Sequence, residues 1–314
     1  MRILVTGGAG FIGTNLCKRL LEHDNTVICV DNFYSSSKSN ISELLENPNF
    51  IFVNQDITKA LNFGGISQIY HLACPASPIW YQKDPLYTFD VSVFGTRNVL
   101  DVARTHNAKI LFTSTSEIYG DPLVHPQTEK YWGNVNTMGP RSCYDESKRA
   151  AETMIMEYGN KYKLDWKIVR LFNTYGPYLA ANDGRVVSNF IIQALNGEAL
   201  TIYGKGEQTR SFCYVDDTVD ALIKMMNTDN TVHGPVNIGN PSEFTMIQLA
   251  KKILDSVDTT SSLIFKPLPI DDPKQRKPDI TLAKKLLNWQ PTVGLDDGLQ
   301  KTIDYFKSQG QLDI

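Results

Sequence analysis

Tyr144 and Lys148 stand four residues apart in the run YDESK. Positions i and i+4 of a helix share a face, so this spacing sets an ammonium beside a phenol. The expected consequence is a tyrosine whose pKa is drawn down toward neutrality, a usable base at an alcohol. Upstream, the apolar run 109–113 leads into Thr113-Ser114-Thr115-Ser116-Glu117. Hydroxyls and a carboxylate gathered at one strand end suit an oxygen-rich substrate, and Thr115 can donate a hydrogen bond to the oxygen that Tyr144 deprotonates. A Y-x-x-x-K pair alone recurs by chance on helix surfaces, and it gains meaning from the elements around it.

Those elements start near the amino terminus. Ile3-Leu4-Val5 reads as a buried strand and Thr6-Gly7-Gly8-Ala9-Gly10 as a turn, after which Phe11, Ile12, Leu16 and Leu20-Leu21 recur at helical spacing. Strand, glycine turn and helix form the context of a dinucleotide fingerprint. Gly7 permits the tight turn, Gly10 lets backbone approach a pyrophosphate, and Gly13 lets the helix pack on the strand. The helix start at Phe11, Ile12 and Gly13 turns its N–H groups to the phosphates. A second buried run, 26–30, ends in Asp31, whose carboxylate can accept both hydrogen bonds of an adenosine ribose and would repel a 2′-phosphate. The expected cofactor is therefore NAD and not NADP. Asn32 opens a polar loop able to close over the adenosine. Asp56, with Ile57 beside it, follows a third strand (50–54) toward the adenine, and a fourth strand (69–73) carries Leu72 and Ala73 to the cofactor. Long helices are expected over 85–105 and 143–162, with further strands at 109–113 and 166–171.

This alternation reads as an α/β fold, a Rossmann-type doubly wound parallel sheet with right-handed crossovers. Beyond Asn173, prolines punctuate shorter elements, which reads as a smaller C-terminal substrate lobe. The expected division is 1–175 for an NAD-binding domain and 176–314 for the lobe, with 212–240 returning to the first domain. The 314 residues exceed one minimal nucleotide domain. A hydrophobic share of 42%, a charged share of 21% and a net charge of −3 are those of an ordinary globular chain, with no reason to expect nucleic acid or an anionic membrane as partner. Cys17, Cys29, Cys74, Cys143 and Cys213 are odd in number and lack CxxC spacing, so they read as thiols of a reducing, cytoplasmic compartment. Met1 leads almost directly into a strand, which leaves no room for a signal peptide, and no apolar run is long enough to span a bilayer. His71 and His125 stand apart, so no metal site is expected.

TGGAGFIG, Asp31, TSTSEIYG and YDESK together resemble the extended short-chain dehydrogenases/reductases, which include nucleotide-sugar epimerases, dehydratases and decarboxylases. The resemblance runs nearly end to end. Within it, HLACPASP, GDP (120–122), LFNTYGP, NDGRVVSNF and DDPKQRKPD (271–279) resemble the UDP-glucuronate decarboxylase branch. Dehydratases of this superfamily carry an Asp-Glu pair after the threonine, and epimerases usually carry small or neutral residues there. Ser116-Glu117 together with Arg276 matches the decarboxylases. The chain departs from the pattern at Ser92, where the family has Asn, and at Ser36-Ser37, where the decarboxylases usually have Gly-Arg.

The resemblance implies NAD-dependent decarboxylation of UDP-glucuronate to UDP-xylose and carbon dioxide through a 4-keto sugar, redox-neutral overall. In that scheme Tyr144, with Lys148, takes the 4-hydroxyl proton as hydride leaves C4. The ketone then receives the electrons as carbon dioxide departs, and Tyr144 and Thr115 steady the enolate. Hydride returns after C5 is protonated. Arg276, alone or through a water that it organises, serves the carboxylate and the proton donation, with Ser116 and Glu117 orienting the carboxylate. Asn173, Arg185, Asn189, Tyr203 and Arg210 match positions near the nucleotide sugar, where arginines suit the UDP phosphates. The two long helices imply a homodimer. A 4-epimerase, a 4,6-dehydratase on another nucleotide sugar and an oxidative decarboxylase that releases its 4-keto product stay open. A non-enzymatic NAD sensor is disfavoured, since Tyr144 and Lys148 are both kept.

Overall fold

The computed structural model describes residues 1–268 and 275–310. Asp271, Asp272, Pro273 and Lys274 of the last motif lie outside the described residues. The principal strands are β1 (Arg2–Thr6), β2 (Thr26–Asp31), β3 (Phe50–Asn54), β4 (Gln68–His71), β5 (Lys109–Thr115) and β6 (Trp166–Leu171). Joined by the strand Val236–Ile238, they form a seven-stranded sheet ordered β3-β2-β1-β4-β5-β6 and then Val236–Ile238. Every pairing in it is parallel. Strand order reverses between β1 and β4, so the crevice at their carboxyl ends is where such a sheet receives a ligand.

Alternation along the strands feeds two cores. Ile3 and Val5 face one side, where α1 (Phe11–Leu21) and the helix Val215–Met226 pack. Leu4 faces the other, against Val99, Val102 and Ile155. Those three residues belong to the helices Thr96–His106 and Ser142–Tyr162. β5 runs past the expected 109–113 because Ser114 and Thr115 still pair with Arg170 and Leu171 of β6, so ladder bonding decides the strand end rather than side-chain polarity. The expected helix 85–105 is divided into Pro85–Asp90, a wide π turn Val91–Gly95, and Thr96–His106. Such turns occur often beside functional sites. Residues 55–67 cross from β3 to β4 without a helix. That stretch includes Gly64-Gly65 and lacks a helical apolar stripe.

After β6 the chain builds the helices Val186–Leu195, Met246–Val257 and Leu295–Ser308. Their buried residues Phe190, Leu249 and Leu299 continue the α1-side core, so no separate core isolates this part. A small three-stranded sheet, Glu243–Thr245, Thr209–Ser211 and Gln275–Arg276, sets Arg276 beside Arg210 in parallel register.

Candidate functional site

α1 begins after Gly10, which makes no side-chain cap. Its first N–H groups lack partners within the helix. They border a cleft of about 1240 Å³ that Gly7, Gly10, Phe11, Ile12 and Gly13 all line. Gly7 has φ +72°, and a Cβ there would lie 2.8 Å from the Ala73 backbone. A Cβ on Gly13 would lie 2.1 Å from the Gly7 carbonyl oxygen. The turn is therefore a backbone cradle of the kind that holds phosphate.

Asp31, at the end of β2, accepts hydrogen bonds from the Ala9 N–H (3.1 Å), the Phe33 N–H (2.9 Å) and the Ser36 hydroxyl (2.8 Å). The departure at Ser36 thus supplies a donor that fixes this carboxylate, which keeps lone pairs for a diol. Asp56 takes the Tyr87 hydroxyl at 2.8 Å and the Asn32 amide at 3.4 Å. Burial pushes its carboxyl up, but the hydrogen bonds from Thr58, Tyr87 and Asn32 win and hold it below its ordinary value. Ile57, Leu72 and Ala73 also line the cleft. Backbone donors for a pyrophosphate and an immobile acid for a ribose fit a bound NAD.

The reactive residues lie further along the same cleft. Tyr144 and Lys148 are buried on the helix Ser142–Tyr162, and the Tyr81 ring stacks on Tyr144 at 5.2 Å with 5° between planes. The expected lowering of the phenol pKa is not met. Burial first, and then Cys74, push Tyr144 well above its ordinary value, with the Thr115 hydrogen bond opposing them. Lys148 directs its Nζ to the Thr113 carbonyl at 3.0 Å, lies 6.0 Å from the Tyr144 ring centroid, and is itself lowered by burial. The i,i+4 spacing brought the two residues to one face, but the ammonium is engaged by a β5 carbonyl, and burial favours the neutral phenol. Ser92, the other departure, contacts the Cys74 thiol with its hydroxyl at 3.0 Å.

Glu117 lies between two arginines. Its carboxylate meets Arg276 Nη1 at 2.6 Å and Arg141 Nη2 at 2.6 Å. Burial raises the acid, but the two guanidiniums outweigh it and hold the carboxyl at about 2. Arg276 is 1% exposed, donates to the Ser116 hydroxyl at 3.3 Å and to the Gly120 carbonyl at 2.8 Å, and keeps its Nε without a partner among the described residues. Ser77 Oγ and Tyr81 Oη, also on the cleft wall, are buried and unpartnered among the described residues. These orphaned groups suit a ligand with oxygens on several sides.

The positions expected at the nucleotide sugar lie on the same cleft. Arg185 is engaged by Asp183 through two hydrogen bonds and lies 6.0 Å from the Phe11 ring centroid. Asn189 donates to the Gly184 carbonyl at 3.1 Å, and Arg210 donates to the Thr209 carbonyl at 2.9 Å. Tyr203 is 42% exposed at the rim, and the Asn173 carbonyl accepts from the Cys213 N–H.

Sequence reasoning missed Arg141, Tyr81 and Asp145. Arg141 directly precedes the tyrosine helix in GPRS, where nothing separates it from a surface charge. Tyr81 ends the apolar run PIWY, which looks like packing. Asp145 lies inside YDESK and reads as a helix-start acid, yet it is 5% exposed, and burial followed by Glu117 raises its carboxyl to about 8.

A Rossmann sheet, a backbone phosphate cradle and a Thr-Tyr-Lys constellation define an NAD-dependent enzyme class acting on alcohols. The chain belongs to the NAD dependent epimerase/dehydratase family, whose model matches residues 3–239. UDP-glucuronic acid decarboxylase 6 of Arabidopsis thaliana is 53% identical over 300 residues, covering 95% of this chain and 87% of the plant protein. UDP-glucuronic acid decarboxylase 1 of Xenopus tropicalis is 49% identical, covering 98% of this chain and 72% of the frog protein. Among solved structures, UDP-glucuronic acid 4-epimerase from Bacillus cereus, in complex with UDP-glucuronic acid and NAD, matches with a TM-score of 0.89 at 29% identity, covering 98% of this chain and 100% of that chain.

Proposed function

We propose that this chain decarboxylates UDP-glucuronate to UDP-xylose and carbon dioxide with bound NAD, without net oxidation. The observation that carries this reading is Glu117 held between Arg276 and Arg141 in the cleft that Tyr144 lines. A cationic cluster of this kind suits a sugar that bears a carboxylate, whereas epimerisation or dehydration of a neutral hexose needs none. The relatives at about half identity support the same reaction.

NAD, when bound, supplies a reversible hydride acceptor for C4. Tyr144 moves the proton at the 4-oxygen, with Lys148 the buried cation on its face of the helix. A ketone at C4 is β to the C6 carboxylate, so the electrons released with carbon dioxide settle on that oxygen, where Thr115 and Tyr144 donate hydrogen bonds. Arg276 faces the carboxylate side and delivers a proton to C5, directly or through a water, while Glu117 and Ser116 hold the guanidinium in place. Asn173, Arg185, Asn189, Tyr203 and Arg210 hold the nucleotide sugar, and Gly7 to Gly13, Asp31, Asn32, Asp56, Ile57, Leu72 and Ala73 hold the cofactor.

Residues 1–175 with 212–240 form the NAD-binding domain and 176–314 the nucleotide-sugar lobe. The pairing of Val236–Ile238 with β6 supports the return. The protein works as a homodimer through the helical stretches 85–106 and 142–162, a reading supported by the exposed Leu86, Phe89, Phe94 and Met156 on them. Sedimentation at micromolar concentration tests it, and a monomer would reject it. A cytoplasmic location is supported by five free cysteines. No helix among the described residues is long and apolar enough to cross a membrane.

Turnover in deuterium oxide tests the reaction. UDP-xylose should carry deuterium at C5 and none at C4, with no net NADH. A product that keeps every carbon would indicate an epimerase, loss of water a dehydratase, and stoichiometric NADH an oxidative decarboxylase.

A further inference from the structure

Ser116 and Arg276 meet across 160 residues of chain. Arg276 sits on a strand only two residues long, Gln275–Arg276, so that strand alone holds its reach weakly. The backbone just after it is gripped elsewhere, by Gln127. This residue is 0% exposed. Its N–H donates to the Lys277 carbonyl at 2.9 Å, and its carbonyl accepts from the Asp279 N–H at 2.9 Å. Its side-chain oxygen accepts from the Lys277 N–H at 2.8 Å, and its side-chain NH2 donates to the Val124 carbonyl at 2.7 Å.

The grip is anchored in the sheet. Asn237 donates to the Gln127 carbonyl at 3.0 Å and accepts from the Tyr119 hydroxyl at 2.8 Å. Arg170 donates to that hydroxyl oxygen at 3.0 Å and is held by Glu152, which also takes the Ser114 hydroxyl. A continuous buried network thus runs from the end of β5 to the residue after Arg276. Fully satisfied buried networks of this kind fix geometry.

We propose that Gln127 is a positioning residue for the decarboxylation and C5-protonation steps: it sets how far Arg276 reaches toward Glu117 and Ser116, and it acts only through them. The proposal deepens the decarboxylase reading and rests on it. Gln127 is not among the residues that line the cleft. Loss of its side-chain oxygen leaves the Lys277 N–H unpaired and loosens the segment that carries Arg276.

Two variants test it. Gln127→Met keeps the volume and removes both side-chain bonds. A displacement of about 1 Å at a reacting group costs about a hundredfold, so kcat should fall by that order with KM little changed. The first oxidation should survive, so reduced nicotinamide should accumulate on the enzyme when UDP-glucuronate is added. Gln127→Glu keeps the acceptor and, when protonated, the donor. Burial raises a carboxyl pKa, so product formation by this variant should fall as pH rises through that pKa. Glu129, Asp279, Lys277 and His125 are the titratable groups on the segments around Gln127. Glu243 pairs with His125 and Lys277. All five are unchanged in both variants, so any limb they produce is shared with the unsubstituted protein, and the limb of Gln127→Glu is read as the difference between the two profiles.

Equal loss of oxidation and decarboxylation in Gln127→Met, or kcat kept within about twofold, overturns the proposal. If that variant fails to fold, the pH limb of Gln127→Glu decides alone, and its absence overturns the proposal. An unsubstituted protein that leaves UDP-glucuronate unchanged rejects the decarboxylase reading instead. In that case amide hydrogen exchange still tests the grip: Gln127→Met should exchange faster over residues 275–279 with β5 unaltered, and unchanged exchange there counts against it.

Discussion

At one end of the cleft, the phosphate-facing groups come from one short run, the turn and helix start at Gly7 to Gly13, and they are backbone. At the other end they are the side chains of Glu117, Arg141 and Arg276, drawn from three segments and held by charge at 2.6 Å. The cradle has no room for a Cβ at Gly7 or Gly13 and is built from backbone. The cluster has no tolerance for loss of a charge, because each member compensates another in a buried setting. The two ends should therefore fail in different ways, and substitutions can separate them.

Tyr144 lines the same cleft, and its removal should have the largest effect. Tyr144→Phe should lower turnover by about 10²- to 10⁴-fold, with no reduced nicotinamide appearing even transiently in stopped-flow absorbance. Transient NADH would remove Tyr144 from the oxidation. Next comes the cluster. Glu117→Gln leaves two guanidiniums without their shared anion, and breaking such a pair costs about 3–5 kcal/mol. Oxidation should outlast decarboxylation in Glu117→Gln and in Arg276→Ala, read as bound NADH with slow release of carbon dioxide. With a folded-state pKa of about 2 against an ordinary 4.5, Glu117 contributes stability above pH 4.5 that is lost as pH falls toward 2, and acid unfolding of Glu117→Gln should lack this component.

The cradle should show the opposite signature. Gly13→Ala drives a Cβ toward the Gly7 carbonyl, an overpacking that costs about 1–3 kcal/mol. It should weaken NAD binding, measured by calorimetry, without the acid-limb change. Asp31→Ala should narrow the preference for NAD over NADP by about tenfold or more, and it also unpairs the Ala9 N–H, the Phe33 N–H and the Ser36 hydroxyl. Equal affinity of the unsubstituted protein for both cofactors would reject the ribose role. The last effect, read in stability and not in turnover, is expected at Asp145. Its folded-state pKa is raised from 3.8 to about 8, so stability is greatest below 3.8 and declines as pH rises toward 8. Asp145→Asn should flatten that slope in thermal unfolding across pH 5–8, and an unchanged slope would assign it to other groups.

Much of this difference was legible in advance at one end only. The glycine turn, Asp31, the Thr115 strand end and the Tyr144–Lys148 spacing each have short-range causes, and all of them line the cleft. Arg276 was reached through resemblance to a motif and not through spacing, and Arg141 was not reached at all. The π turn at Val91–Gly95 was also hidden, because no residue type in VSVFG separates it from the turns on either side.

The sequence by itself determined the sheet, its cofactor edge and the helix face that joins Tyr144 to Lys148, since chain geometry over a few residues suffices for each. Only the tertiary structure decided where the Lys148 ammonium points, that burial keeps the Tyr144 phenol neutral, and that Glu117 is shared by two arginines. Only it placed Gln127 against the backbone after Arg276. Desolvation and pairing energies depend on which segments meet, and segments more than a hundred residues apart meet through packing and ladder register that no local pattern encodes.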